Sequence, residues 1–132
     1  MSGSDLIVGL YEAFGRGDVP AVLAAMDPQI EWREAENNPY MPSGEAWVGP
    51  DAIVTNLFMK LAEDWDGFAV HPATFHDAAS GVVVEGRYTG THRATGESMD
   101  AQFCHVWAIS DGKITKFQQY TDTAQLQRAV GA

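Results

Sequence analysis

The apolar pattern of the chain changes period, and that change limits the folds open to it. Up to residue 65, apart from one short run at 30–34, apolar residues recur at helical spacing. After Gly67 they recur every second residue. Leu6, Ile7, Leu10, Tyr11 and Phe14 make a helical stripe, with Ser4 as its cap and Gly15 and Gly17 at its end. Asp18 caps a second short helix, which tolerates Pro20 in its first turn and carries Val19, Val22, Leu23 and Met26. Gly49-Pro50-Asp51 opens a third, with Ile53, Leu57, Phe58, Leu61 and Trp65 on its buried side. Strands are expected at 68–75, 82–92, 99–109 and 114–121, separated by the turns DAASG, ATGE and Asp111-Gly112. A last helical turn or two follows Asp122 as cap. Helices that precede a run of hairpin-linked strands imply an α+β domain over residues 1–132. Its curved, cone-shaped sheet is mixed but mostly antiparallel, with three N-terminal helices on the concave face. The space between the layers is where a pocket is expected.

Composition narrows the partners. A chain of 132 residues has room for one core. Its net charge of −10, with no basic run, argues against nucleic acid and anionic membranes. No apolar stretch approaches the ~20 residues of a membrane span, and the N-terminus lacks a basic targeting region, so the expected location is the cytoplasm. Cys104, the single cysteine, sits in an apolar run and reads as a buried structural thiol. His71, His76, His92 and His105 lack short ligand spacing, which argues against a metal site. There is no phosphate-binding glycine loop and no Gly-x-Ser-x-Gly elbow. Neither a cofactor nor a serine or cysteine nucleophile is expected.

The run at 30–34 carries chemistry. Alternation puts Ile30, Trp32 and Glu34 on one face of a strand. If that face looks into the cone, Glu34 sits among aromatic groups and desolvation raises its pKa toward the range of a general base. The alternative is a solvated carboxylate at the pocket mouth. Asn37, Asn38 and Pro39 stop the strand, which leaves Glu36 at the rim. His105 shares parity with Phe103 and Trp107, and could relay a proton or donate to an oxyanion. Its other reading is a core histidine bonded to backbone. Gln119 shares parity with Phe117 and Thr121, and either orients a substrate, holds Glu34 or His105, or faces solvent. Tyr40, on the long segment 35–48, could close over a ligand.

Several phrases, in this order and spacing, resemble the nuclear transport factor two-like superfamily, and its SnoaL-like branch in particular. They are Gly17-Asp18, Glu31-Trp32, GPDAI at 49–53, HVWAISDGKI at 105–114 and QYTDT at 119–123. The superfamily includes ketosteroid isomerases, which set a carboxylate base against a tyrosine and a protonated acid that hold the oxyanion. The resemblance puts the isomerase's base at Glu34, its protonated-acid oxyanion donor at His105 and its tyrosine donor at Leu10. It implies a cofactor-free isomerase or polyketide cyclase acting on a hydrophobic carbonyl compound. Glu34 and His105 would be catalytic, and Trp32, Tyr40, Phe103, Trp107, Phe117 and Gln119 would bind substrate. A ligand-binding module without turnover is the alternative, and an epoxide hydrolase the third, for which Arg87 and Arg33 are the nearby strand arginines and Arg33 has the wrong parity. Outward-facing Val106 and Ala108 suggest a homodimer through the outer sheet face, as in that superfamily.

Overall fold

The computed structural model describes residues 3–132. Helix α1 (Gly3–Gly15) and helix α2 (Val19–Ala24) lead into strand β1 (Met26–Arg33). Strand β2 (Trp47–Val48) precedes helix α3, in which Pro50–Ile53 and Met59–Asp64 are α-helical and Val54–Phe58 between them is π-helical. Strands β3 (Trp65–Ala78), β4 (Gly81–His92), β5 (Ser98–Ser110) and β6 (Lys113–Thr121) follow, and helix α4 (Thr123–Val130) closes the described chain.

The strands form one sheet in the order β2-β1-β6-β5-β4-β3. Only the β1–β6 pair is parallel, with Trp32 opposite Phe117; the others are antiparallel. The sheet is therefore mixed and mostly antiparallel, curved and unclosed, with the helices over one face. The hairpin between β5 and β6 turns at Asp111 and Gly112, whose φ values of 52° and 75° match a type I′ turn. Asp18 and Asp122 cap α2 and α4, accepting from the amides of Ala21 and Gln125.

Four local expectations are corrected. Ser4 lies inside α1 instead of capping it, and its hydroxyl donates to Asp77 at the far end of β3. Met26 starts β1 opposite Ile114 and is not part of the α2 stripe, because the chain is already extended before Asp27-Pro28. Trp65 starts β3, with φ −122° and ψ 142°, and does not end α3. The segment 35–48 is not irregular throughout, since Trp47 and Val48 pair with Trp32 and Glu31.

Residues of like parity are buried together. In β1 these are Ile30 and Trp32; in β4, Val82, Val84, Gly86 and Tyr88; in β5, Met99, Ala101, Phe103, His105 and Trp107. Gly86, opposite Pro72 on β3, lies where neighbouring groups approach the backbone closely. A Cβ there would lie 2.3 Å from the His71 carbonyl oxygen and 2.6 Å from the Phe103 ring, beside a register shift between Pro72 and Thr74. Gly86→Ala is expected to lower the unfolding free energy by about 1–3 kcal/mol, the usual cost of overpacking. A denaturant midpoint equal to that of the unsubstituted protein would show that the close approach at Gly86 tolerates a side chain.

Candidate active site

The sheet and the helices enclose a cavity with a free volume of about 70 Å³. Its walls come from all four helices, chiefly α1 (Leu10, Tyr11, Phe14) and α3 (Leu57, Phe58, Leu61), from the segment 34–40 and from every strand except β2. Among the described residues, no lysine or arginine lines it. Aromatic contacts are dense: Trp32 stacks on Phe117 with ring centroids 3.8 Å apart, and Trp32 meets Phe58 and Trp107 edge to face.

Glu34 lies one residue beyond β1 and keeps the strand's alternation, so it follows Ile30 and Trp32 inward. It is 5% exposed. Its backbone amide meets the thioether of Met41, and its carboxylate accepts one bond, 3.3 Å, from the Trp32 indole. Burial pushes the carboxyl pKa up to about 8, and the indole bond offsets only part of that. Glu36 is exposed at the rim, as its place beyond the strand requires.

His105 faces the same cavity from β5 and is 4% exposed. Burial lowers its pKa well below the usual imidazole value, so the ring is neutral. Both ring nitrogens are occupied by side chains, not by backbone. Tyr11 from α1 holds Nδ1 at 2.5 Å, and Tyr88 from β4 meets Nε2. The Trp107 indole donates to the Tyr11 hydroxyl at 3.0 Å, and Gln119 Nε2 donates to the Tyr88 hydroxyl at 2.9 Å. The Gln119 oxygen accepts from the Ala35 amide at 3.1 Å and from Asn38 at 2.9 Å. Burial raises the pKa of both phenols, so they are neutral too.

Seven of the eight residues singled out in the sequence line the cavity: Glu34, His105, Trp32, Tyr40, Trp107, Phe117 and Gln119. Phe103 does not. It is buried behind His105, stacked on the imidazole with centroids 3.9 Å apart, so it supports the ring and does not form the wall. Gln119 reaches Tyr88 and the 35–38 segment instead of Glu34 or the imidazole itself. Tyr40 is tethered, donating to Asp64 at 2.8 Å and accepting from the Trp65 indole at 2.9 Å. The resemblance placed a tyrosine position at Leu10; the tyrosine that enters the site is its neighbour, Tyr11. Tyr11, Tyr88 and Asn38 complete the site, and the first two carried a signal. Tyr11 belongs to the Ile7–Phe14 stripe, and Tyr88 has the parity of Val82 and Val84. Asn38, in an irregular segment, carried none.

Arg33 donates to the Gly44 carbonyl and Arg87 pairs with Asp100, both on the exterior. The arginine that an epoxide-opening site would use is therefore not at the cavity. Cys104 is half-buried on the other side of β5, where burial raises its pKa. Among the described residues, no cluster of three His, Cys, Asp or Glu side chains is placed to hold a metal ion, and no helix is long and apolar enough to cross a membrane.

The curved sheet with helices over one face, enclosing a polar pair in an apolar cone, is the nuclear transport factor two-like (NTF2-like) architecture. The family model described as a SnoaL-like domain matches residues 7–117, and the chain belongs to that family. An NTF2-like protein of Burkholderia thailandensis is 36% identical, with a TM-score of 0.92 and 98% of each chain covered. TerC, co-crystallised with polyporic acid, is 23% identical over 98% of each chain, with a TM-score of 0.85. IdmH of Streptomyces antibioticus, a candidate polyketide cyclase, is 18% identical over the whole of both chains, with a TM-score of 0.81. These last two likenesses show the fold. No protein of curated function matches the chain by sequence.

The raised carboxyl pKa ties stability to pH. Between about 4.5, its ordinary value, and about 8, the folded chain holds a proton on Glu34 that the unfolded chain has lost. Its contribution therefore falls as pH rises through that window, by an amount on the order of a few kcal/mol. Glu34→Gln should remove this loss, so its melting temperature should gain on that of the parent from pH 5 to pH 8. A constant difference across that range would mean the carboxylate is solvated.

Proposed function

We propose that this chain is a cofactor-free acid–base enzyme acting on a small hydrophobic carbonyl compound, as an isomerase or a polyketide-cyclase-like catalyst. The observation that carries this reading is Glu34, a carboxyl desolvated to a pKa of about 8 in a cavity that also presents two phenols held by a neutral imidazole.

In the proposed step the Glu34 carboxylate takes a proton from the carbon next to the carbonyl. The C–H electron pair becomes a C=C bond and the C=O π pair moves onto the oxygen, giving an enolate whose oxygen is bonded by a buried O–H donor. Glu34 then returns the proton at a different carbon, completing an isomerisation. Alternatively the enolate carbon attacks a second carbonyl of the same molecule, whose oxygen takes the proton, completing an aldol-type cyclisation. His105 acts through its two tyrosines in this scheme, since neither ring nitrogen is left open to a ligand. Trp32, Trp107 and Phe117 exclude water and hold a flat ring. Tyr40, fastened to the end of α3, bounds the cavity from the segment 35–48.

The free volume limits the substrate. About 70 Å³ is smaller than the ~150 Å³ apolar cavity that admits benzene in an engineered protein. A single ring can enter with modest side-chain movement, and a larger molecule would leave its remainder at the mouth.

The reading includes a homodimer through the outer face of the sheet, and exposed apolar side chains there favour it. Val106, Tyr120 and Val48 are exposed there at 38%, 56% and 55%. Val106→Glu is expected to halve the mass seen by light scattering. An unchanged mass would place any association elsewhere.

The chemistry is tested by deuterium exchange from solvent into the α-carbons of single-ring cyclic ketones, followed by NMR. Glu34→Gln is expected to slow exchange by at least ~100-fold, the usual scale for a general base. The parent rate should rise with pH to a plateau above about 8. Ketones that bind without exchanging would make the protein a binding module. Exchange unaffected by the substitution would remove Glu34 as the base.

A further inference from the structure

The hydrogen bonds around His105 cannot all be formed by the protons available without one being left over. Two backbone amides set the count. The Tyr40 N–H can only donate, so the Asn38 oxygen must face it, at 2.9 Å, and the Asn38 NH₂ faces Gln119. The Ala35 N–H likewise fixes the Gln119 oxygen, so the Gln119 NH₂ must face Tyr88 and donate to its hydroxyl oxygen. On the other side the Trp107 indole, a donor only, gives its proton to the Tyr11 oxygen. Each hydroxyl thus accepts a bond from outside the histidine and still owns its own proton.

Two contacts then remain, Tyr11 to Nδ1 and Tyr88 to Nε2. Three protons are available to them: one on each hydroxyl and one on the neutral ring. Each contact uses a single proton. If the ring carries its proton on Nδ1, that N–H donates to Tyr11, Tyr88 donates to Nε2, and the Tyr11 hydroxyl proton has no partner among the described residues. If the proton is on Nε2, Tyr88 holds the surplus. Both tyrosines and the imidazole line the cavity, so the unused O–H turns toward its interior.

We propose that Tyr11, His105 and Tyr88 form a tautomeric relay that always keeps one hydroxyl donor facing the cavity, presented by either tyrosine to the oxygen of a bound carbonyl or phenolate. The ligand chooses the tautomer. An oxygen beside Tyr11 selects the Nδ1–H ring, and an oxygen beside Tyr88 selects the Nε2–H ring. The site can therefore serve two oxygen positions with one donor, which suits a substrate with carbonyls at two places on a flat ring. His105 is a positioning residue here, and Gln119, held by Ala35, is what makes Tyr88 an acceptor. The proposal names the enolate's donor within the acid–base reading, but its proton count does not involve Glu34.

Two measurements test it, both using Tyr→Phe changes that keep the ring and remove only the oxygen. The first is the ¹⁵N spectrum of the His105 ring without ligand. A buried N–H left without an acceptor is worse than a bare ring nitrogen. Tyr11→Phe should therefore fix the proton on Nε2, and Tyr88→Phe should fix it on Nδ1. The same tautomer in both variants, or an imidazolium ring in the parent, overturns the relay. The second is binding of p-nitrophenolate, followed by its absorbance. Each single variant should weaken binding by less than about 5-fold, because the remaining tyrosine takes over. The double variant should lose about 10–100-fold, the scale of one hydrogen bond to a charged oxygen. Full loss in one single variant, with no loss in the other, would mean a fixed donor and no relay; so would a parent that does not bind the anion. The ¹⁵N result involves neither a substrate nor Glu34, so the relay and the base assignment can fail separately.

Discussion

The bond from the Ala35 amide to Gln119 is the constraint on which the rest of the site depends. It forms where the chain leaves β1 and crosses toward the end of β6. Because a backbone N–H has only a proton to offer, it decides which way the Gln119 amide points. That decides the role of Tyr88, and Tyr88 with Tyr11 decides which atoms of His105 are engaged. The same oxygen accepts from Asn38, so the start of the 35–48 segment belongs to the hydrogen-bonded unit that reaches the imidazole. A surface segment and a buried histidine, far apart in sequence, are coupled through one side chain.

Around this unit the cavity provides almost nothing that stabilises charge. Its walls are mostly aromatic and aliphatic, and the ion pairs among the described residues, such as Arg93 with Asp66, lie on the exterior. Desolvation therefore acts on every titratable group inside in the same direction, toward neutrality: up for Glu34 and the phenols, down for His105. The protein carries −10 overall, yet its interior site is close to uncharged at neutral pH. Such a site holds a neutral carbonyl compound readily and favours charge only where a donor is already aimed. Hence a single uncommitted O–H matters more here than it would in water.

Much of the site was legible in the residues. Glu34 follows from strand alternation continued past Trp32, and His105, Trp107, Phe117 and Gln119 from the same parity on β5 and β6. Parity says which side of a sheet a residue faces, and not what stands in front of it. Phe103 has the right parity and is nevertheless screened from the cavity by the imidazole stacked on it. Tyr11 and Tyr88 were legible as inward residues but looked like core, because an aromatic ring at helical or strand spacing is most often only packing. The one-residue offset between Leu10 and Tyr11 has the same origin. Residues 10 and 11 both face inward on a helix, and only the position of the sheet decides which one reaches His105.

By itself the sequence determined most of the secondary-structure types, the α+β order, the caps at Asp18 and Asp122, the Asp-Gly hairpin and the shared face of Glu34 and Trp32. Each of these rests on interactions between residues a few positions apart, where backbone geometry permits few alternatives. Tertiary structure alone decided the parallel pairing of β1 with β6, the close approach of β3 and Phe103 to Gly86 and the chain of bonds from Trp107 through His105 to Ala35. Those contacts join residues up to 96 positions apart. Their geometry depends on how the sheet curves and how α1 settles over it, which no local pattern of side chains encodes.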